Sequence, residues 1–335
     1  MKKTIHTSSC LVLTLATAMF TTGCAGNKKT TNTAADLAPN SHAKLLYDEA
    51  VDYRQAGYLD AALATFGLAL EENPSLTEAH LGMGHIYRAQ GNLPVAENAY
   101  NRALEANPES YDANYYLGLT FQLQGNVAGA INQYLRAIVI SPYRIEANRD
   151  IAAAYLQTGS PDSALQYAEA AVELAPESQA AWCNLAATCN LLGDYKRAVD
   201  AYREAAELGK LSGTIIPGFA NAHIKQKNYN RAVNLLSPLA EKTTDPLILE
   251  RLAFSQFKLR KFDEALEHYQ QALAAKPNDT ASLNGIGACY MTKFIQSGRK
   301  ERDFKTKAYE AWRKSLNLNA KQAHIADLLV RYKGI

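Results

Sequence analysis

Along most of the chain, apolar and small residues recur at helical spacing in short runs, and the runs come in pairs. Residues 77–110, TEAHLGMGHIYRAQGNLPVAENAYNRALEANPES, show the pattern most plainly. His80, Met83, Gly84 and Tyr87 share one face of a predicted first helix, and Ala96, Tyr100 and Ala103 share one face of a second. Gly91-Asn92 marks the turn between them and Pro108 the stop. Neither helix can bury its stripe alone, so the pair needs neighbours of its own kind.

Those neighbours are present. Placing the terminal proline at position 32 of a 34-residue register gives units 43–76, 77–110, 111–144, 145–178, 179–212, 213–245 and 246–279, and an eighth from 280 that is interrupted. Position 8 is Ala50, Gly84, Gly118, Ala152, Ala186, Ala220, Ala253 and Gly287. Position 20 is Ala62, Ala96, Ala130, Ala164, Ala198, Ala232, Ala265 and Ala308. Position 24 is Phe66, Tyr100, Tyr134, Ala168, Tyr202, Leu236, Tyr269 and Trp312. Helices cross closely only where side chains are small, which explains the first two columns, and the aromatic fills the wider gap beyond.

These columns resemble the tetratricopeptide repeat. The resemblance implies an all-α, right-handed superhelical solenoid of about eight helix-turn-helix repeats over residues 43–319, closed by a capping helix within 320–335. In that family the first helix of each unit lines the concave face, chiefly through positions 2, 5, 9, 12 and 13. Carried onto this chain, a peptide- or partner-binding groove is expected at Tyr47, Arg54, Leu81, His85, Arg88, Tyr115, Leu119, Gln122 and Arg149, with Phe254 and Phe257 further on. Aromatic and arginine side chains are the usual anchors of binding interfaces. The Lys and Asn with which some members hold a C-terminal carboxylate are absent, Tyr47 and Val51 standing in their places.

Two irregularities interrupt the register. Units five and six lack the terminal proline, Gly209–Gly213 replaces the usual ending, and Pro217 falls inside the next first helix, where it delays or kinks it. This reads as a drifted repeat or as a joint in the solenoid. An insertion of about nine residues near 292–307 carries Lys293, Arg299, Lys300, Arg302, Lys305 and Lys307 against Glu301 and Asp303. It reads as a solvated extension of two helices or as a site for an anionic partner.

Ahead of the repeats, Met1-Lys2-Lys3 precedes an apolar run from Leu11 to Phe20, too short to span a bilayer, which takes about 20 residues. Thr21-Thr22-Gly23-Cys24 then resembles the lipobox of bacterial lipoproteins, although Thr21 stands where that family usually has Leu. The resemblance implies a signal peptide over 1–23, cleavage before Cys24, and acylation there, palmitate included. The alternative is plain secretion with a cut nearby. Ala25 in place of Asp favours, by the same resemblance, an outer-membrane anchor facing the periplasm. Residues 24–42 read as a flexible tether reaching roughly 25 Å, and two or more acyl chains suffice for stable attachment.

Composition narrows the function. The chain is 47% hydrophobic and 20% charged, with 35 Lys and Arg against 33 Asp and Glu; without Lys2 and Lys3 the balance is even, which argues against nucleic acid. Cys183 and Cys189 lie six residues apart on one predicted helix, roughly 9 Å by helical rise, too far for a disulfide. They read, with Cys289, as buried thiols. No metal-ligand spacing, phosphate loop, HExxH or GxSxG is present, so neither a cofactor nor a small-molecule substrate is expected, and the repeats leave no room for a catalytic domain. The expectation is a non-catalytic, membrane-anchored scaffold for other envelope proteins, similar to repeat lipoproteins that assist assembly of a type IV or Flp pilus or a secretion system. Alternatives are an adaptor for a peptidoglycan hydrolase or protease, and a part of polysaccharide export.

Overall fold

The computed structural model describes residues 39–333; the leader, Cys24 and most of the tether lie outside them. Seventeen helices occur among the described residues. The pairs are α1 (Pro39–Gln55) with α2 (Leu59–Glu72), α3 (Thr77–Ala89) with α4 (Leu93–Ala106), α5 (Tyr111–Leu123) with α6 (Val127–Ile140), and α7 (Ile145–Gln157) with α8 (Pro161–Leu174). Then follow α9 (Gln179–Leu192) with α10 (Tyr195–Leu208), α11 (Ile216–Lys225) with α12 (Tyr229–Ala240), α13 (Pro246–Lys258) with α14 (Phe262–Ala275), and α15 (Thr280–Gln296) with α16 (Arg302–Leu318). The closing helix α17 (Ala323–Arg331) covers the last pair. Helix α1 begins four residues before the expected unit boundary; Pro39 fits a first turn because its missing N–H would have no partner there.

The turn within each of the first five units rests on a glycine with positive φ: Gly57, Gly91, Gly125, Gly159 and Gly193. Units six and seven place Lys227 and Arg260 in the same left-handed conformation, at φ 62° and 65°. Serine, asparagine or aspartate caps several helices: Ser110 accepts from the Ala113 N–H at 3.2 Å and Asp279 from the Ser282 N–H at 2.9 Å.

The small columns have a geometric cause. Side chains at position 20 are fully buried throughout, and where position 8 is glycine the aromatic at position 24 of the same unit lies against it. A Cβ added to Gly84 would come 2.5 Å from the Tyr100 ring, and one added to Gly118 would stand 2.7 Å from Tyr134 and 3.3 Å from the Ala130 carbonyl. Position 6 shows a second close approach. There Gly82, Gly218 and Gly285 admit Phe66, Tyr202 and Tyr269 from the preceding unit, each within 2.4 Å of the site a Cβ would take. Where it carries a ring, position 24 therefore packs its own unit, and at Gly82, Gly218 and Gly285 it also ties that unit to the next.

First helices reach one another across units: α1 touches α3, α3 touches α5, and α7, α9, α11, α13 and α15 follow in a chain. Second helices make no contact of comparable extent. The odd-numbered helices therefore form the compressed inner layer of a curved stack, and the groove lies along them.

At the weak register of units five and six, Pro217 occupies the first turn of α11 and shortens that helix to ten residues. The preceding helix is finished by Gln179, whose amide donates to the carbonyls of Ala205 at 2.9 Å and Gly209 at 2.7 Å. Stacking continues, since α11 packs on α9, α10, α12 and α13. At the insertion, α15 and α16 each grow to 17 residues, against 13 or 14 in most other units. Ile325 of α17 is buried with Met291, Phe294 and Trp312, which seals the core at that end.

Candidate functional site

The inner layer of units two to four holds a continuous aromatic and charged network. His85 of α3 shares a hydrogen bond with the Tyr100 hydroxyl at 3.0 Å and packs edge-on against Tyr116, ring centroids 4.3 Å apart. The Arg88 guanidinium lies 5.5 Å over the Tyr116 ring, and Tyr116 meets Tyr115 at 5.1 Å. Leu81 packs into the same cluster with Tyr100 and Leu117. Burial first, then the charges of Arg54 and Arg88, lower the His85 pKa to about 4, so the ring is neutral at physiological pH.

Tyr115 donates from its hydroxyl to Asp150 Oδ2 at 2.7 Å, and Arg149 donates to both oxygens of the same carboxylate at 2.6 and 3.0 Å. The pairing raises the Arg149 pKa, the hydrogen bond to Asp150 being the main cause. Burial drives the Tyr115 and Tyr134 hydroxyls upward, and the Asp150 charge adds to it. Gln122 accepts from the Tyr134 hydroxyl at 2.7 Å.

Several expected groove residues are thereby placed. Leu81, His85 and Arg88 converge with Tyr115 around Tyr116, and Arg149 joins through Asp150. Arg54 is half-buried and close enough to act on His85 electrostatically. Tyr47 stands apart in unit one, tilted on Phe66 at 5.8 Å with Lys44 above it. Phe254 and Phe257 belong to unit seven, where they pack on Tyr229 and Phe262 and do not meet the early cluster.

Two expectations need correction. Tyr115 is only 6% exposed and acts as a strut between units; it offers no open ring to a partner. Arg149 is already neutralised by Asp150, its neighbour on the same helix, whose carboxylate also takes the Tyr115 hydroxyl of the preceding unit. The open cations are Arg54 and Arg88, neither of which forms an ion pair among the described residues, and the Arg88 Nε is buried without a hydrogen-bond partner.

Tyr116 and Asp150 are absent from the expected positions. Both stand at position 6, where the sequence shows no uniform residue type. In three units the position-6 side chain reaches position 5 of the preceding unit. Asp150 takes the Tyr115 hydroxyl, Asn184 donates to the Arg149 carbonyl at 2.9 Å, and Arg251 donates to the Pro217 carbonyl at 2.9 Å.

Among the described residues no group of His, Cys, Asp and Glu could hold a metal ion. Cys183, Cys189 and Cys289 are buried free thiols, and burial pushes the Cys289 pKa up to about 12. No described helix is long and apolar enough to cross a membrane.

Comparison with known proteins bears on the fold. Residues 81–145 and 149–212 match one family model of the tetratricopeptide repeat, and residues 246–279 match another. No curated protein matches the chain by sequence. Among solved structures, PilF of Pseudomonas aeruginosa superposes with a TM-score of 0.53 at 18% identity, covering 61% of this chain and 92% of that one. A tetratricopeptide repeat protein of Parabacteroides merdae gives 0.51 at 16% identity, covering 74% and 99%. The Cut9–Hcn1 assembly gives 0.53 at 17% identity, covering 81% and 52%. At these identities the likeness is one of fold. The matched stretches are tetratricopeptide repeats, and the structure continues the same helical pair on either side of them into a solenoid of eight units closed by α17.

Proposed function

We propose that the protein is a non-catalytic interaction scaffold of a bacterial cell envelope, held at the outer membrane by acyl chains on Cys24. In this reading the inner groove of units one to three grips an extended peptide or a helix of another envelope protein. The observation that carries it is a pair of cations without a carboxylate partner among the described residues: Arg88 over the Tyr116 ring, and Arg54 near enough to His85 to act on it electrostatically. Arginine beside an aromatic ring is a usual anchor of a binding interface. A role in assembling a pilus or secretion complex rests on the leader and repeats together, an architecture shared with lipoproteins of that kind.

The test is a double Arg54→Ala, Arg88→Ala chain expressed in its host and probed by in-cell crosslinking. Loss of the crosslinked partner with unchanged helicity supports the groove; undiminished capture refutes it. Cys24→Ala tests the anchor separately, and continued recovery in the membrane fraction would contradict lipidation.

A further inference from the structure

The lengthened last unit builds a feature that the groove does not use. A cavity of about 640 Å³ opens between the turn from α15 to α16, one face of α16 and the residues just after α17. Its walls carry Arg299, Arg302, Lys305, Arg313 and Lys333, with Glu310 as the one acid among the described lining residues. Five cations against one acid is a sharp local excess in a chain whose charges otherwise nearly balance.

Local pairing does not cancel the charge of the cavity's three arginines. Of the basic residues in the insertion, Lys293 pairs with Asp263 and Lys307 with Asp303, and neither lysine lines the cavity. Arg299, Arg302 and Arg313 form no ion pair among the described residues. The floor is aromatic, from Phe294 and Tyr309. Lys305 and Arg313 each stand 5.8 Å from the Tyr309 ring, and the Tyr309 hydroxyl donates to the Leu329 carbonyl at 2.9 Å, fixing the ring to α17. Two cations are thus held in place on one anchored ring. Arg299 sits at the mouth in a left-handed turn, φ 67°, directly after Gly298.

The shape of the site indicates what it would take. Helix α17 has nine residues and α16 has 17, so the early turns of α16 stay uncovered. The lining residues from Arg302 to Arg313 follow one face of α16 over twelve residues, roughly 16 Å at helical rise. An extended peptide covers that length with about five residues. A single small anion would meet only part of it, and a planar bilayer does not enter a recess. Guanidinium forks match carboxylates in two-point hydrogen bonds.

We infer that this end of the solenoid is a second docking site, separate from the inner groove, for an acidic segment of a partner protein. It does not depend on the groove or on the lipid anchor.

The experiment uses the full chain in detergent and a fluorescein-labelled hexaglutamate peptide, with binding followed by anisotropy. The expected result is saturable binding that weakens as salt rises from about 50 to 500 mM. It should fall roughly tenfold or more in the triple variant Arg302→Glu, Lys305→Glu, Arg313→Glu. A triple reversal elsewhere, Arg102→Glu, Arg136→Glu, Lys196→Glu, should leave it unchanged. If the site variant loses helicity, Arg302→Gln with Arg313→Gln takes its place. Equal loss in the site and control variants would overturn the proposal, since net charge alone would then explain binding. So would displacement of the peptide by millimolar inorganic phosphate, or stronger site-dependent binding to vesicles with about 30% phosphatidylglycerol than to the peptide, which would assign the cavity to free phosphate or to lipid.

Discussion

Gly84→Ala and Gly67→Ala make the same chemical change in two helices, and the structure gives them opposite signs. In a helix interior, alanine gains about 0.5–1 kcal/mol over glycine, because glycine loses more backbone freedom on folding. At Gly67 of α2 an added Cβ meets nothing within 4 Å, so that gain should appear in full. At Gly84 of α3 the new Cβ would stand 2.5, 2.8 and 2.8 Å from three carbons of the Tyr100 ring. Carbon atoms rest about 3.5–4.0 Å apart, so the ring or the helix must give by roughly 1 Å. The ring has little freedom: it is fully buried, and its hydroxyl is tied to His85. Overpacking of this kind costs about 1–3 kcal/mol, which exceeds the propensity gain. Gly84→Ala should therefore lose about 0.5–2 kcal/mol, while Gly67→Ala should be more stable than the parent by about 0.5–1 kcal/mol. Guanidinium denaturation followed by far-ultraviolet circular dichroism reads both. Because repeat arrays can unfold in stages, hydrogen exchange of α3 and α4 should localise the loss. A Gly84→Ala chain as stable as the parent would refute the claim that aromatic packing keeps position 8 small.

Other consequences follow from the same packing. Ala130→Leu should overpack the crossing beside Gly118 and lower the melting midpoint, at a cost of about 1–3 kcal/mol; an unchanged midpoint would dispute the register. Arg260→Gly should stabilise the chain by about 1 kcal/mol, because φ at that turn is 65° and glycine adopts it freely; denaturant midpoints for the two chains decide it. His85 is held neutral by a folded-state pKa of about 4, below its ordinary value. Between roughly pH 6.5 and 4 the unfolded chain then binds more protons than the folded one, so stability falls with acidification. Unfolding midpoints between pH 7 and 5 should drop less steeply in His85→Gln; equal slopes would show that His85 is not held neutral.

Much of the fold is legible in the sequence, because positions 8 and 20 answer to a geometric demand that admits only glycine and alanine. The turns are legible for a similar reason in five units, where glycine supplies positive φ; Lys227 and Arg260 adopt the same backbone without advertising it. The site is less legible. Position 6 is not legible because it meets the preceding unit in different ways: Asp150 and Asn184 hydrogen-bond to it, while Gly82 and Gly285 make way for a ring. Tyr115 holds a position that faces the groove in the family, yet Asp150 draws its hydroxyl into the joint between units. No single unit contains both partners of these contacts, so a column-by-column reading cannot show them. The chemistry at Arg54 and Arg88 is visible in sequence as charge, but only the structure separates these open cations from Arg149, which is paired.

The most direct test of the scaffold reading is site-specific photo-crosslinking in the native host. A photoreactive residue at Leu119, on the inner layer, is compared with one at Val139, which is 83% exposed on a second helix. The account predicts one discrete partner from Leu119, lost when Arg54 and Arg88 are both alanine, and none from Val139. Crosslinks from Val139 alone, or a Leu119 product indifferent to the two arginines, would contradict it.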